Sequence, residues 1–208
     1  ITVATATAGN HGRSVAWGAQ RLGLKCKIFI SENVSESRAE AMKNLDAEVI
    51  RVQGNYDNSL KECIKQSAEN NWEIVQDVSW EGYKEVPKLI MAGYTIMIKE
   101  IIDEVDANSI THVFLQAGVG GMASAMIAGF AKLSKAIPKF IVVEPENADC
   151  VFKSIKNGRP TSVDIKKETV MGGMSCGDVS SIAWHILKNS AKYCVTISDE
   201  AISSAIAL

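Results

Sequence analysis

The sequence predicts an α/β fold: two open parallel-sheet βαβ domains flanked by helices, a small one over residues 1–84 and part of a larger one over 85–208. Three observations carry this. Strand-like apolar runs alternate with amphipathic helical patterns along the chain, the order that βαβ units require. The strands are near-continuous apolar stretches, as in a parallel sheet covered on both faces. A long helical pattern over about 84–105 then breaks the rhythm of the first four strands, and with "WEGY", Pro87 and Gly93 nearby it places a boundary near residues 82–92.

The elements follow in order. "ITVATA" is a strand, and a helix runs from about Asn10 to Leu22, with Gly23 at its C-terminal cap. "KCKIFI" (25–30) precedes a helix over about Ser35–Leu45, where Ser35 makes only a partial cap because Arg38 stands where a capping box needs Glu. "AEVIRV" (47–52) precedes a helix over Tyr56–Asn70, and "WEIVQD" (72–77) is the next strand. After the long helix, "THVFLQ" (111–116) leads through a glycine loop to a helix ending about Lys135. "KFIVVE" (139–144) leads to a helix near Ala148–Lys156, and "YCVTIS" (193–198) closes the strand series before a final helical pattern.

Composition narrows the function. The chain has 208 residues, 47% hydrophobic and 22% charged, enough for a real core. A net charge of −2 without a basic cluster argues against nucleic acid as a partner. Residues 113–131 carry no charge, yet four Gly, a Gln and a Ser interrupt them; a buried strand, a loop and a buried helix fit better than a membrane span. Five scattered Cys without a CxxC pair suggest reduced thiols and a cytoplasmic setting. The three His lack ligand spacing, so no metal site is expected. The chain opens inside a strand pattern and closes inside a helical one, which reads as a piece of a longer protein.

Three stretches could carry chemistry. In "FLQAGVGGMASA", a glycine turn between strand and helix lets backbone N–H groups approach an anion, with a phosphate as the natural guest. Gly118, Gly120 and Ala123 also satisfy the dinucleotide pattern, with Glu144 where a ribose-binding acid would sit, so a nicotinamide-dependent oxidoreductase stays open beside a plain ligand-free turn. In "TATAGNHG", Asn10 stands at a second strand-to-helix corner, either as an amide that steadies an oxygen anion or as a helix cap. In "VQDVSWEGY", Asp77 ends a predicted parallel strand, where the ligand crevice of an open α/β sheet lies; it is a candidate proton carrier or a solvated loop acid. "GMSCG" (173–177) imitates a hydrolase elbow, but no acid-then-His pair follows it at a workable spacing.

Taken together, "TATAGNHGRSVAWGAQRLG", "VQDVSWEGY", "FLQAGVGGMA", "VEPENADC" and "MGGMSCG" resemble the diaminopropionate ammonia-lyases, within fold type II of the pyridoxal-phosphate enzymes, over nearly the whole chain. The resemblance implies pyridoxal 5'-phosphate as cofactor, its phosphate held by backbone N–H groups of Gly118, Val119, Gly120, Gly121 and Met122, and its phenolic oxygen by Asn10 from across a cleft. It implies a small-molecule amino-acid substrate, α,β-elimination of 2,3-diaminopropionate to pyruvate and ammonia, Asp77 as a proton-handling or substrate-amine contact, and a homodimer. It also implies that the cofactor-bearing Lys lies upstream of Ile1, so that the chain alone is inactive. The family usually carries Asp where Ala8 stands, which implies a preference for the L-substrate. A serine or threonine dehydratase of the same fold class is the alternative, since Ala8 is ordinary there; "SWEGY" speaks against it.

Overall fold

The computed structural model describes residues 1–207; Leu208, the last residue of the segment assigned to the larger domain, lies outside the described residues. The chain forms two compact units, Ile1–Gln76 and Asp77 onward.

The first unit is a four-stranded sheet in the order β3-β2-β1-β4, with β1 at Thr2–Ala6, β2 at Lys25–Ser31, β3 at Glu48–Val52 and β4 at Glu73–Ile74. Every pairing is parallel. Alternation along the strands divides the core. Val3, Ile28 and Ile30 pack with Val15, Ala16 and Ala19 of α1 (Asn10–Arg21) and Ala39 and Met42 of α2 (Glu36–Lys43). Ala4, Ala6 and Phe29 face the other way, onto Cys63 of α3 (Tyr56–Asn70). Helix α1 ends in a Schellman motif: Gly23 adopts φ +64°, its N–H bonds Gln20 O, and Leu24 N–H bonds Ala19 O. Helix α3 starts in a reciprocal box in which Asn55 and Asn58 each bond the other's backbone N–H.

Strand β4 is much shorter than the 72–77 run the sequence suggests. Val75 N–H still bonds Ala4 O, but beyond it the side chain of Gln76 takes over the pairing with Ala6. Asp77 therefore stands past the strand and not at its end. The chain leaves β1 toward β2 on one side and returns as β4 on the other, so the direction reverses at the carboxyl ends of these two strands, where α1 begins.

The second unit is a parallel three-stranded sheet, β5-β6-β7, with β5 at His112–Gln116, β6 at Lys139–Pro145 and β7 at Ala191–Ile197. Helices α4 (Glu85–Glu104) and α5 (Gly121–Leu133) pack closely, since a Cβ on Gly129 would lie 2.7 Å from Ile98 Cγ1. Ile98, Leu115, Met126, Phe130, Phe140, Val142 and Leu187 form the core. The uncharged stretch 113–131 is thus strand, turn and buried helix, and no helix of the described residues is long and apolar enough to cross a membrane. After α6 (Cys150–Asn157) the sequence pattern assigns no element before Tyr193, yet the structure places α7 at Ser181–Ser190; α8 (Asp199–Ile206) ends the described chain.

Candidate active site

The glycine turn joins β5 to α5. Its shape depends on the missing side chains. A Cβ on Gly118 would lie 3.1 Å from both Cys176 Sγ and Gly173 O, and Gly120 adopts φ +86° with Leu187 Cδ1 2.7 Å from where its Cβ would be. Helix α5 begins at Gly121 with no acidic residue in its first turn, so the N–H groups of Gly121, Met122 and Ala123 form an electropositive end without a competing carboxylate. A backbone-only cradle of this kind fits a phosphoester.

Neighbouring segments brace the turn. The Cys150 thiol lies 3.4 Å from Gly118 O, and burial pushes its pKa far up, so it stays a protonated donor. Ser180 N–H donates to Val119 O at 2.9 Å. The "MGGMSCG" segment forms a 3-10 turn at Gly172–Met174 against Gly118, and Ser175 Oγ accepts Thr169 N–H, so this serine is a loop-bracing group and not an elbow nucleophile.

Asp77 reaches the turn through its backbone: its carbonyl oxygen is 3.6 Å from the Cβ position of Gly121. The side chain is half-buried. Burial first, and the Asp77 charge second, raise the Tyr94 phenol on α4 above its ordinary pKa. Tyr94 was not legible as a site neighbour, because nothing in a helical sequence shows which loop its face meets. The stretch after Asp77 closes as a tight turn in which Trp80 and Tyr83 exchange backbone hydrogen bonds and stack at 4.2 Å, with Gly82 at φ +83°.

Asn10 belongs to the first unit, whereas Asp77, Gly118, Val119, Gly120, Gly121 and Met122 belong to the second. The N-cap of α1 is Gly9; Asn10 is the first helical residue, exposed, and its amide is not used as a cap. Its neighbour His11 is fixed instead, with Nε2 2.8 Å from Val75 O.

Glu144 does not serve the role that the dinucleotide pattern suggests. It is 0% exposed, and its two oxygens accept Val151 N–H at 2.9 Å and Phe152 N–H at 2.6 Å. A carboxylate spent on the first turn of α6 cannot reach a ribose hydroxyl. Burial raises its pKa to about 7 despite those two donors.

A family profile described as "Pyridoxal-phosphate dependent enzyme" matches residues 1–208. The diaminopropionate ammonia-lyase of Escherichia coli is 37% identical over 202 residues, 96% of this chain and 51% of that protein. The mitochondrial threonine dehydratase of Schizosaccharomyces pombe is 31% identical over 158 residues, 74% of this chain and 24% of that protein. Among solved structures, selenomethionine-incorporated holo diaminopropionate ammonia-lyase from Escherichia coli superposes with a TM-score of 0.84 at 38% identity, covering 92% of this chain and 48% of that one. The chain spans about half the length of the ammonia-lyases it matches. With its parallel sheets, its flanking helices and the glycine turn ahead of α5, this chain belongs to the pyridoxal-phosphate-dependent enzymes of fold type II.

Proposed function

We propose that the full-length protein containing this chain is a lyase that eliminates ammonia from 2,3-diaminopropionate and releases pyruvate. The observation that carries the reading is a glycine turn shaped for a phosphoester, with the backbone carbonyl of Asp77 against it. When bound, pyridoxal 5'-phosphate supplies an electron sink for the pair released as the substrate's α-proton leaves. Backbone N–H groups from Gly118 to Met122 hold the phosphate and so fix the distance from turn to substrate. The Asn10 amide, exposed and unspent on capping, donates to the phenolic oxygen of the ring. The Asp77 carboxylate takes up a proton or holds the substrate amine.

Ala8 bears on stereochemistry. A methyl group cannot accept a proton, so we assign this protein to the L-substrate. A second reading, L-serine or L-threonine dehydration, draws on the threonine dehydratase relative and on Ala8. Five cysteines outside any disulfide favour a reducing cytoplasm, and a two-fold homodimer is the commonest assembly. The deciding experiment supplies the full-length protein separately with L- and D-2,3-diaminopropionate, L-serine and L-threonine and follows the keto acid released. Release from L-diaminopropionate well above the others is expected. Faster turnover of serine or threonine favours the dehydratase, and equal turnover of the two diaminopropionate enantiomers refutes the assignment of Ala8.

A further inference from the structure

The geometry points to Ser79 as a positioning residue that holds Asp77 at the glycine turn by capping a helix distant in sequence; this rests on the role proposed above for Asp77. Helix α7 has Ser180 at its N-cap, yet the Ser180 hydroxyl does not cap its own helix. The cap comes from Ser79, whose Oγ accepts Ile182 N–H, the second amide of the helix, at 3.0 Å. Four further bonds close the cluster. Ser79 N–H donates to Ser180 Oγ at 3.0 Å, and the hydroxyls of Ser79 and Ser180 lie 2.6 Å apart. The Ser181 hydroxyl lies 3.0 Å from Ser79 Oγ, and Ser181 N–H donates to Ser79 O at 3.4 Å.

The position of this cluster gives it a role beyond stability. Ser79 is 5% exposed and Ser180 1%, so water cannot replace the bonds they make. Ser180 N–H bonds Val119 O, inside the glycine turn. Two residues before Ser79, the Asp77 carbonyl lies against Gly121 in the same turn. One hydroxyl therefore joins the segment carrying the proposed proton carrier, the start of α7 and the proposed phosphate cradle. Without it the segment keeps the backbone bonds of Ser79 to Ser180 Oγ and from Ser181 N–H, but loses the three bonds that the hydroxyl makes.

The test uses the full-length holoenzyme. Ser79→Ala should lower kcat on 2,3-diaminopropionate about tenfold or more, leave KM within about twofold, and shift the kcat–pH profile. Ser79→Thr keeps the hydroxyl and should recover most of kcat. In an Asp77→Asn background, Ser79→Ala should add little further loss, because the group it positions is already disabled. An unchanged kcat and pH profile in Ser79→Ala, or an equal loss in both backgrounds, overturns the proposal. Amide hydrogen exchange of the cofactor-free protein provides a readout independent of turnover. Peptides covering 77–83, 117–122 and 178–184 should all exchange faster in Ser79→Ala, and unchanged protection over 117–122 refutes the link. A wild-type protein that does not turn over diaminopropionate defeats the functional reading alone, and the exchange pattern then decides the positioning role.

Discussion

The side chain of Gln76 pairs with the backbone of Ala6 as a strand would: Oε1 accepts Ala6 N–H at 2.9 Å and Nε2 donates to Ala6 O at 3.1 Å. The same amide accepts the Thr5 hydroxyl at 2.8 Å and donates to Tyr56 Oη at 2.9 Å, and Thr5, Ala6 and Gln76 are all at 0% exposure. Gln76→Ala would strand a buried N–H, a carbonyl and a hydroxyl together. Unfolding by urea should show a loss of about 2–4 kcal/mol, larger than an Ala substitution at exposed Glu73 on the same segment.

Glu144 should make stability fall with rising pH. Its carboxyl titrates near 4.5 when unfolded and near 7 when folded. Below the lower value both states are protonated and the folded state has its full advantage. As pH rises toward 7 the unfolded chain releases its proton first, and on the order of 3 kcal/mol is lost. The Cys150 and Cys194 thiols facing it stay protonated throughout, and nearby Asp149 is an acid whose charge adds to the upward shift. Glu144→Gln should flatten the slope between pH 5 and 7, measured by denaturation at a series of pH values, while costing one of the two α6 bonds at every pH.

Gly120→Ala combines a left-handed backbone with a collision against Leu187, and should destabilise the second unit by about 2–4 kcal/mol. Gly118→Ala meets Cys176 Sγ and the Gly173 carbonyl at 3.1 Å without a backbone penalty. The expected result for Gly118→Ala in the full-length protein is modest thermal destabilisation with a clear loss of cofactor retention on dialysis. Gly158→Ala, at φ +66° but in open space, should weaken stability by about 1 kcal/mol and leave cofactor retention unchanged.

Asn55→Ala removes one arm of the box that starts α3 and should cost about 1 kcal/mol. Asn58→Ala removes the other arm, and the double substitution should cost less than the sum of the two, because each bond helps to orient the other. A double-mutant cycle in urea measures this directly.

Local signals carried most of the fold. Helix α3 begins and ends where its pattern predicts, because Asn55 caps one end and left-handed Asn71 closes the other. The glycine turn was visible as a strand-turn-helix pattern for the same reason. What was not legible depends on distant partners. Strand β4 looks longer in sequence than it is, because an amide side chain completes its ladder. Helix α7 has a Ser at its N-cap position, but it runs directly into β7 without a Gly or Pro to mark its end, so its pattern does not separate it from the strand. Glu144 resembles a ligand contact because it stands at the end of a strand pattern; only burial shows that its oxygens are already taken.

The borrowed cap on α7 also bears on how the chain folds. A ten-residue helix is too short to persist alone in water. Its satisfying hydroxyl is 103 residues upstream, so α7 gains that bond only after the intervening chain has closed a large loop. Its consolidation therefore belongs to the late steps of assembly, and a ribosome must release both partners before the helix can lock.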